Sequence, residues 1–387
     1  MTSTSTLQKA CSTSDRVVDV VADLKRQLTS DSSPSPSPNS HSPNSPSPKL
    51  LVFFASSRHP LGELGAALQA AFGDVPTIGC TTAGELVSGE MLRNSVVAML
   101  FDSRHLKDAR VARVPNVRDP DGVRDALRSF GEHFGTRAAE MDPRRFVGLV
   151  LMDGMSGGEE RVMAALGDAT NVAFVGGSAG DDLAFKETFV FAGGHAIAGG
   201  AALALLEPVG RFEVLKTQSF KDLGKRLVVT KADEATRTVL EFDGKPAALA
   251  YAEALGVPVA DLPKRFLKHP LGLMIHGEPF VRSAHQLDGN AIIFFCQVTE
   301  GMELALLEAG DIVADTKKAL DAKLAEMGGA SGLINFHCIL RTLELHGQHQ
   351  CEPYGRVFSG TPMIGFSTYG EAYIGHMNQT STMLLFK

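Results

Sequence analysis

The chain has 387 residues, 44% of them hydrophobic and 21% charged, so it is long enough to form two or more domains with apolar cores. Its formal net charge of −7 argues against a nucleic-acid partner, because a phosphate-binding surface needs an excess of cations. No run approaches the roughly 18 apolar residues of a membrane span, and five scattered cysteines with no apolar leader predict a cytoplasmic protein with reduced thiols.

The N-terminal region combines a short helix with a low-complexity segment. Apolar residues at helical spacing predict an amphipathic helix over residues 17–28. Residues 30–48 follow, and fifteen of these nineteen are Ser or Pro. Such a composition does not bury enough apolar surface to order itself. We therefore predict that residues 1–49 contain a helix and a flexible Ser/Pro-rich segment, and that this segment is an inserted loop, since an apolar helix precedes it.

Strands and helices alternate from residue 50 onward, and short apolar runs without helices between them follow near residues 187–220. The Asp288-Gly289 pair between apolar runs predicts a hairpin, and the pattern predicts a helix over 312–326. We expect an α+β fold of two related lobes, with mixed, largely antiparallel sheets flanked by helices. The predicted domains are residues 50–235 and 236–387.

An internal repeat is the most specific feature of the sequence. Residues 76–85 (PTIGCTTAGE) and 362–371 (PMIGFSTYGE) agree at six of ten positions, and residues 172–182 (VAFVGGSAGDD) form a weaker third copy. Each copy is a strand that enters a Gly-rich turn and ends in a carboxylate. Two interpretations stay open: the turns line a polar ligand cleft, or their carboxylates cap neighbouring backbone. The candidate ligand-binding residues in these copies are Gly84, Glu85, Ser178, Asp181, Gly370 and Glu371.

Enzyme and metal motifs are weak in this chain. Residues 176–180 match G-x-S-x-G around Ser178, but the nucleophile elbow of hydrolases needs a helix directly after the serine, and a loop and strand are predicted there. We therefore expect no enzyme, and keep a serine hydrolase as a third hypothesis. His346, His349 and Cys351 offer three metal-capable side chains in a segment that a polar loop explains equally well.

His376 lies in an apolar segment near Tyr369 and Asn378. A histidine in such a setting serves either as an axial ligand of haem iron or as a core residue hydrogen-bonded to Asn378 or Thr380. The sequence leaves both interpretations open.

The motifs GCTTAGE, GGSAGDD and GFSTYGE, the last followed by H-x-N-Q-T, resemble the FIST family in their order and spacing. The resemblance covers nearly the whole chain from residue 50. It implies a ligand-binding sensor module for signal transduction without catalytic activity. The layout is similar to that of NosP-type nitric-oxide-sensing haem proteins, which act through a partner histidine kinase.

This resemblance implies haem b as cofactor, His376 as the metal ligand and Tyr369 as a second ligand or hydrogen-bond donor. Nitric oxide would then be the signal, and a histidine kinase or other signalling protein the partner; a homodimer is compatible with such a pairing. The alternative is a FIST sensor of a small polar metabolite such as an amino acid, without haem. It would use the Gly-rich turns with Arg341 and Asn378. Neither hypothesis involves a nucleic-acid or membrane partner.

Overall fold

Three units with the same order of elements make up most of the protein. The computed structural model describes residues 6–29, 46–119 and 121–387. Residues 30–45 of the Ser/Pro-rich segment lie outside the described residues, so the inserted loop stays a prediction. Each unit runs through an edge strand, a helix, a central strand, one or two further helices, a strand parallel to the central one, a short hairpin and a closing strand.

The first two units follow this order without interruption. The first contains β1 (Gln8–Ser12), α1 (Val17–Thr29), β2 (Pro48–Ser56), α2 (Leu61–Phe72), β3 (Thr77–Thr82), β4 (Glu85–Val87), β5 (Glu90–Leu92) and β6 (Val96–Asp102). The second contains β7 (Leu106–Val114), α3 (Gly122–Phe134), β8 (Val147–Met152), α4 (Glu159–Ala169), β9 (Phe174–Ser178), β10 (Val190–Ala192), β11 (His195–Ile197) and β12 (Ala201–Pro208). The helix α1 matches its prediction, whereas the edge strand β1 before it was not predicted.

The third unit is interrupted after its edge strand β13 (Phe212–Thr217). The interruption, which we call the inserted sheet domain, contains β14 (Phe220–Asp233), β15 (Thr238–Phe242), β16 (Lys245–Pro246), α5 (Ala247–Leu255), β17 (Leu271–Ile275), β18 (Glu278–Arg282), β19 (Ala284–Asp288), β20 (Ala291–Phe294) and β21 (Glu303–Ala309). The unit resumes with α6 (Ile312–Met327), β22 (Gly332–Cys338), α7 (Ile339–Gly347), α8 (Cys351–Arg356), β23 (Met363–Thr368), β24 (Glu371–Ala372), β25 (His376–Met377) and β26 (Ser381–Phe386). The predicted hairpin at Asp288-Gly289 and the predicted helix α6 are both confirmed.

The units exchange their hairpins in a cycle. The sheet orders are β1-β6-β2-β3-β10-β11, β7-β12-β8-β9-β24-β25 and β13-β26-β22-β23-β4-β5. Hairpin β4–β5 of the first unit thus completes the third sheet, β10–β11 of the second completes the first, and β24–β25 of the third completes the second. In each sheet the central pair is parallel and the other pairs are antiparallel. The α+β class with largely antiparallel sheets is therefore confirmed, and the internal relationship extends to three units.

The inserted sheet domain has an antiparallel sheet and a core of its own. Its eight strands pair in the order β18-β17-β21-β14-β15-β20-β19, with β16 beside β15. Helix α5 covers this sheet and buries Tyr251 completely, with Phe242 and Leu304 in the same apolar cluster. The insertion replaces the short loop that joins edge strand and helix in the other two units.

A close contact between strands explains the repeated glycine. Gly79, Gly176 and Gly365 occupy equivalent positions on the strand parallel to each central strand. A Cβ on them would lie 2.4, 1.7 and 2.2 Å, respectively, from the carbonyl oxygen of the central-strand residue opposite. No side chain fits at such distances. The repeated glycine therefore reflects the same packing constraint in each of the three units.

The strand pairing also changes the alignment of the third sequence copy. Because Gly176 is equivalent to Gly79 and Gly365, Ser178 lies one residue away from the position that the motif suggested. Asp181 is consequently not the counterpart of the glutamates that end the other two copies, which explains why this copy is weaker.

Glu85 is the first residue of its exchanged hairpin and is 1% exposed. It accepts hydrogen bonds from the Thr82 hydroxyl and from the backbone N–H and hydroxyl of Ser95, at 3.1 and 2.5 Å. Burial raises the pKa of Glu85 to about 7, although these hydrogen bonds act in the opposite direction. The carboxylate thus fastens the hairpin to its own unit.

Glu371 repeats this arrangement in the third unit. It is fully buried and accepts hydrogen bonds from the Thr368 hydroxyl (3.0 Å) and from the backbone N–H and hydroxyl of Thr380 (3.0 and 2.8 Å). Burial likewise raises the pKa of Glu371 to about 7. These contacts favour the capping interpretation for both glutamates, whose oxygens are occupied by their own chain.

The glycine constraint predicts that Gly176→Ala destabilises the protein by about 2–3 kcal/mol, because its Cβ would overlap the Val150 carbonyl. Gly167→Ala is the matched control. Gly167 lies in α4, and a Cβ there meets nothing within 4 Å, so helix propensity should stabilise the protein by about 0.5–1 kcal/mol. Urea unfolding of both variants measures the difference. Equal effects would contradict the constraint.

The buried glutamates predict a pH dependence. The pKa of Glu371 is about 7 when folded against 4.5 as its ordinary value, so the folded state binds this proton more tightly. The unfolding free energy should then fall as pH rises from 4.5 to about 7. Glu371→Gln, which is neutral at every pH, should flatten the fall, whereas Glu90→Gln on the exposed part of β5 should not. Urea unfolding between about pH 5 and 8 tests this, and an unchanged slope in Glu371→Gln would refute it.

Candidate functional site

A cavity of about 670 Å³ lies where the second unit, the third unit and the inserted sheet domain meet. We call it the junction cavity. Gly154 and Tyr369, which follow β8 and β23, place it beyond the carboxyl ends of parallel strands, where α/β sheets commonly bind ligands. Its size is within the range of small-molecule sites, and its walls are largely apolar. The inserted sheet domain contributes the aromatic residues Phe294 and Phe295.

One wall is a strained loop, residues 181–187, between β9 and β10. Asp182, Leu183 and Phe185 have φ angles of 54°, 66° and 51°, in the left-handed region that glycine favours. Each costs about 1–2 kcal/mol, and such strain concentrates at ligand-binding and catalytic sites. Phe185 is 52% exposed and stacks on Tyr369, with ring centroids 5.0 Å apart. The loop therefore holds an aromatic surface at the mouth of the cavity.

Asp181 holds this loop in place. Its carboxylate accepts hydrogen bonds from the backbone N–H groups of Phe185 (2.9 Å), Lys186 (2.6 Å) and Glu187 (3.1 Å) and from the Tyr369 hydroxyl (2.5 Å). Burial opposes ionisation, but these hydrogen bonds outweigh it and hold the pKa of Asp181 below its usual value. Asp181 thus preorganises the wall and joins it to the third unit.

A cluster of charged groups forms the polar end of the cavity. Arg237, between β14 and β15, donates to Glu159 (2.8 Å) and Glu160 (2.7 Å) in the first turn of α4, and to the carbonyl of Phe295 (2.8 Å). Glu160 also pairs with Nδ1 of His376 at 3.2 Å. Burial opposes ionisation of Glu160, but His376 and Arg237 hold its pKa well below the usual value. This ion cluster links the inserted sheet domain to the second unit.

The structure separates the two residues predicted to hold haem. Tyr369 lines the junction cavity, whereas His376 lines a second cavity of about 630 Å³ together with Glu160. A Cβ built on Gly370 would lie 1.9 Å from Nε2 of His376 and 2.8 and 2.9 Å from the two flanking ring carbons. These distances put the vacant Cβ position of Gly370 on the axis of the Nε2 lone pair.

A metal–imidazole bond is about 2 Å long, so iron on Nε2 would lie within one covalent bond length of the Gly370 Cα, which leaves no room for it. The other nitrogen of His376 pairs with Glu160. His376 and Tyr369 therefore do not fit haem in the way that the resemblance implies. His376 is a core histidine, 4% exposed, whose partner is Glu160 and not Asn378 or Thr380. Haem binding itself stays a prediction.

The other predicted ligand residues do not line the cavity. The hydroxyl of Ser178 is buried 3.4 Å from Glu159, one layer behind the wall, and a loop follows it, so the nucleophile elbow is absent. Gly84 accepts a hydrogen bond from the Ser367 N–H at 2.7 Å. Asn378 is 1% exposed and its amide has no partner among the described residues. Arg341 is buried on the side of α7 that faces away from the cavity-lining Leu343.

Sequence patterns did not identify Phe185, Arg237 or the cavity-lining part of α7. The partners of Arg237 lie 77 and 78 residues away along the chain, and no sequence motif predicts an ion pair between groups so far apart. The run DDLAF, residues 181–185, weakly indicates a functional role for Phe185, because it places a large aromatic residue in a polar turn. Among the described residues, no group of three or more His, Cys, Asp or Glu side chains is arranged to hold a metal ion, which includes His346, His349 and Cys351.

Two family models match consecutive parts of the chain. The FIST N domain model matches residues 49–245 and the FIST C domain model matches residues 247–373. An uncharacterized protein of Methanocaldococcus jannaschii is 24% identical over 267 residues, which cover 63% of this chain and 50% of that protein. The chain therefore spans about half the length of this curated relative. None of the described helices has the length and apolar character needed to cross a bilayer. The two domain matches together cover most of the chain, which belongs to the FIST family.

Proposed function

We propose that this protein is a sensor whose junction cavity binds a small organic molecule with an apolar, preferably aromatic body and one polar end, without haem. FIST domains are generally non-enzymatic sensor domains that bind small ligands in signal transduction. The proposal refines this general role by naming the site and the chemical class of the ligand. An aromatic amino acid has both features, so it is the first probe to use.

The exposed apolar rim of the cavity is the observation that supports the proposal most. Phe185, Met155 and Leu343 are 52%, 44% and 38% exposed, and all three line this cavity. Apolar side chains grouped around a concave opening favour an apolar ligand, because its binding removes them from water. The strained loop supports the same conclusion, since the chain maintains an unfavourable backbone to present Phe185 there.

The ion cluster connects the proposed ligand site to the inserted sheet domain, whose position ligand binding would change. Glu159 and Arg237 line the cavity and also connect the second unit to the inserted sheet domain. A ligand whose polar end competes for either group weakens that connection and changes how the inserted domain is held. A ligand shifts a conformational equilibrium only by its difference in affinity for the two states, and this contact is where such a difference would arise. The output would pass to a partner signalling protein, with a histidine kinase as the partner that the family resemblance implies.

A thermal-shift screen of the full chain with phenylalanine, tyrosine, tryptophan and aromatic carboxylates and amines tests the ligand class. Leu343→Trp should fill the mouth of the cavity and weaken binding of any stabilising compound by at least about tenfold. The control is Leu249→Trp. Leu249 lies on α5 and is 46% exposed, so this variant should leave the affinity for the compound unchanged. Equal affinity in both variants would place the ligand elsewhere and contradict the proposal.

Haem is tested in parallel by titrating haemin into the same proteins and recording the Soret band. We expect no stoichiometric band. A stoichiometric band in the wild type that is lost in Leu343→Trp would overturn the haem-free part of the proposal and place the cofactor in the junction cavity.

Arg237→Met tests the ion cluster. The variant leaves the buried Glu159 and the half-buried Glu160 without their arginine, so we expect a loss of about 3 kcal/mol in unfolding free energy at neutral pH. The depressed pKa of Glu160 stabilises the fold above about pH 4.5, and this contribution is lost as pH falls toward its folded-state pKa. The deficit of the variant should therefore shrink in acid.

The matched control is Arg226→Met on β14, whose guanidinium pairs with Asp222 at a far more exposed position. An exposed pair contributes less than about 1 kcal/mol, so this variant should unfold almost like the wild type. Denaturant unfolding at about pH 7 and about pH 3, inside the window in which the contribution of Glu160 is lost, measures both variants. Similar losses in the two would show that the ion cluster does not link the domains.

A further inference from the structure

The three equivalent units allow one core to be compared with two others of the same topology. The central strand and the closing strand present three equivalent positions to the helices in each unit. The three sets are Phe53, Ala55 and Val96 in the first unit, Val150, Met152 and Ala201 in the second, and Asn335, His337 and Ser381 in the third. The first two sets belong to apolar clusters. The third unit alone places buried polar groups there.

These polar groups satisfy one another only in part. The Tyr354 hydroxyl lies 2.9 Å from Nδ1 of His337, and Ser381 donates to Oδ1 of Asn335 at 2.7 Å. Nε2 of His337 is buried without a partner among the described residues. Burial and the charge of Arg341 both lower the pKa of His337, which keeps the ring neutral and places Arg341 within electrostatic reach of it.

Arg341 is the least compensated charge in this core. It is 1% exposed, and Nη2 donates to the Thr316 hydroxyl at 2.9 Å. Nε and Nη1 have no partner, and within the described ranges no carboxylate forms an ion pair with this guanidinium. Glu344 is close enough for Arg341 to oppose the rise that burial causes in its pKa, but its Oε1 accepts from Gln348 instead.

A guanidinium does not lose its proton in a protein, so Arg341 stays charged in this buried setting. Burying an unpaired charge costs several kcal/mol. A trapped water would satisfy the free N–H groups but would leave the charge uncompensated. A bound anion would both accept hydrogen bonds from the free N–H groups of Arg341 and compensate its charge. We propose that Arg341, beside neutral His337, binds a small monovalent anion of the halide type in the core of the third unit, behind α7.

Thermal unfolding of the full chain in sodium chloride and in sodium gluconate, at equal ionic strength, tests this site. A bound anion stabilises the folded state in proportion to its saturation, so the wild type should melt higher in chloride, with a saturable dependence on concentration. Arg341→Met should abolish this dependence. It should also melt above the wild type in gluconate, because the uncompensated charge is gone. Arg356→Met, an exposed arginine of the same unit, should keep the chloride effect.

Chloride dependence that persists in Arg341→Met, or is absent from the wild type, would overturn the proposal and leave Glu344 as the group that compensates the charge of Arg341. Since Arg341→Met removes a buried side chain and its folding is not guaranteed, a second measurement uses the wild type alone. Crystals grown in bromide should give an anomalous peak within hydrogen-bond distance of Nη1 of Arg341. A fully ordered Arg341 with no peak would also refute the site. Neither result depends on the junction cavity or its ligand.

Discussion

Each of the three sheets in the repeated core is completed by a hairpin from another unit. Short strands at a sheet edge expose unpaired backbone groups, and the cyclic exchange covers one edge of every sheet with a neighbour's hairpin. No unit has its full set of strand partners without the other two. The exchange also brings the turns after the parallel strands toward one another, so the position of the candidate site follows from the topology. Glu85 and Glu371, buried where two of the hairpins begin, fix this arrangement from within.

The second unit differs from this scheme where the candidate site lies. It has no buried glutamate at the start of its hairpin; instead the loop of residues 181–187 leads from β9 to β10. Its strained backbone is compensated by the four hydrogen bonds that Asp181 accepts. The inserted sheet domain of the third unit packs against this side, and Arg237 links it to α4. The second unit thus lacks the buried glutamate contact of the other two units. The junction cavity lies there instead, bounded by the loop of residues 181–187 and the inserted sheet domain.

Local sequence patterns predicted what depends on neighbours along the chain. The helix α6, the hairpin at Asp288-Gly289 and the α+β class all follow from periodicity and turn residues, and the repeat pointed to equivalent strands. The hairpin exchange was beyond such patterns, because β4 pairs with β23, almost 280 residues away in register (Leu86 with Gly365). The third sequence copy, residues 172–182, was misaligned by one residue because its turn lacks the threonine and the glutamate of the other two copies. His376 was interpreted from its flanking residues, whereas its environment is set by Glu160 and Gly370.

Hydrogen–deuterium exchange of the full chain, with and without a saturating ligand from the thermal-shift screen, tests the central claim most directly. The junction cavity as ligand site predicts added protection in residues 181–187, at the start of α7 and in the β14–β15 turn around Arg237, three segments distant in sequence that share this cavity. Protection confined to other segments at full ligand occupancy, such as the cleft between α2 and α3 that contains Arg110 and His195, would contradict it.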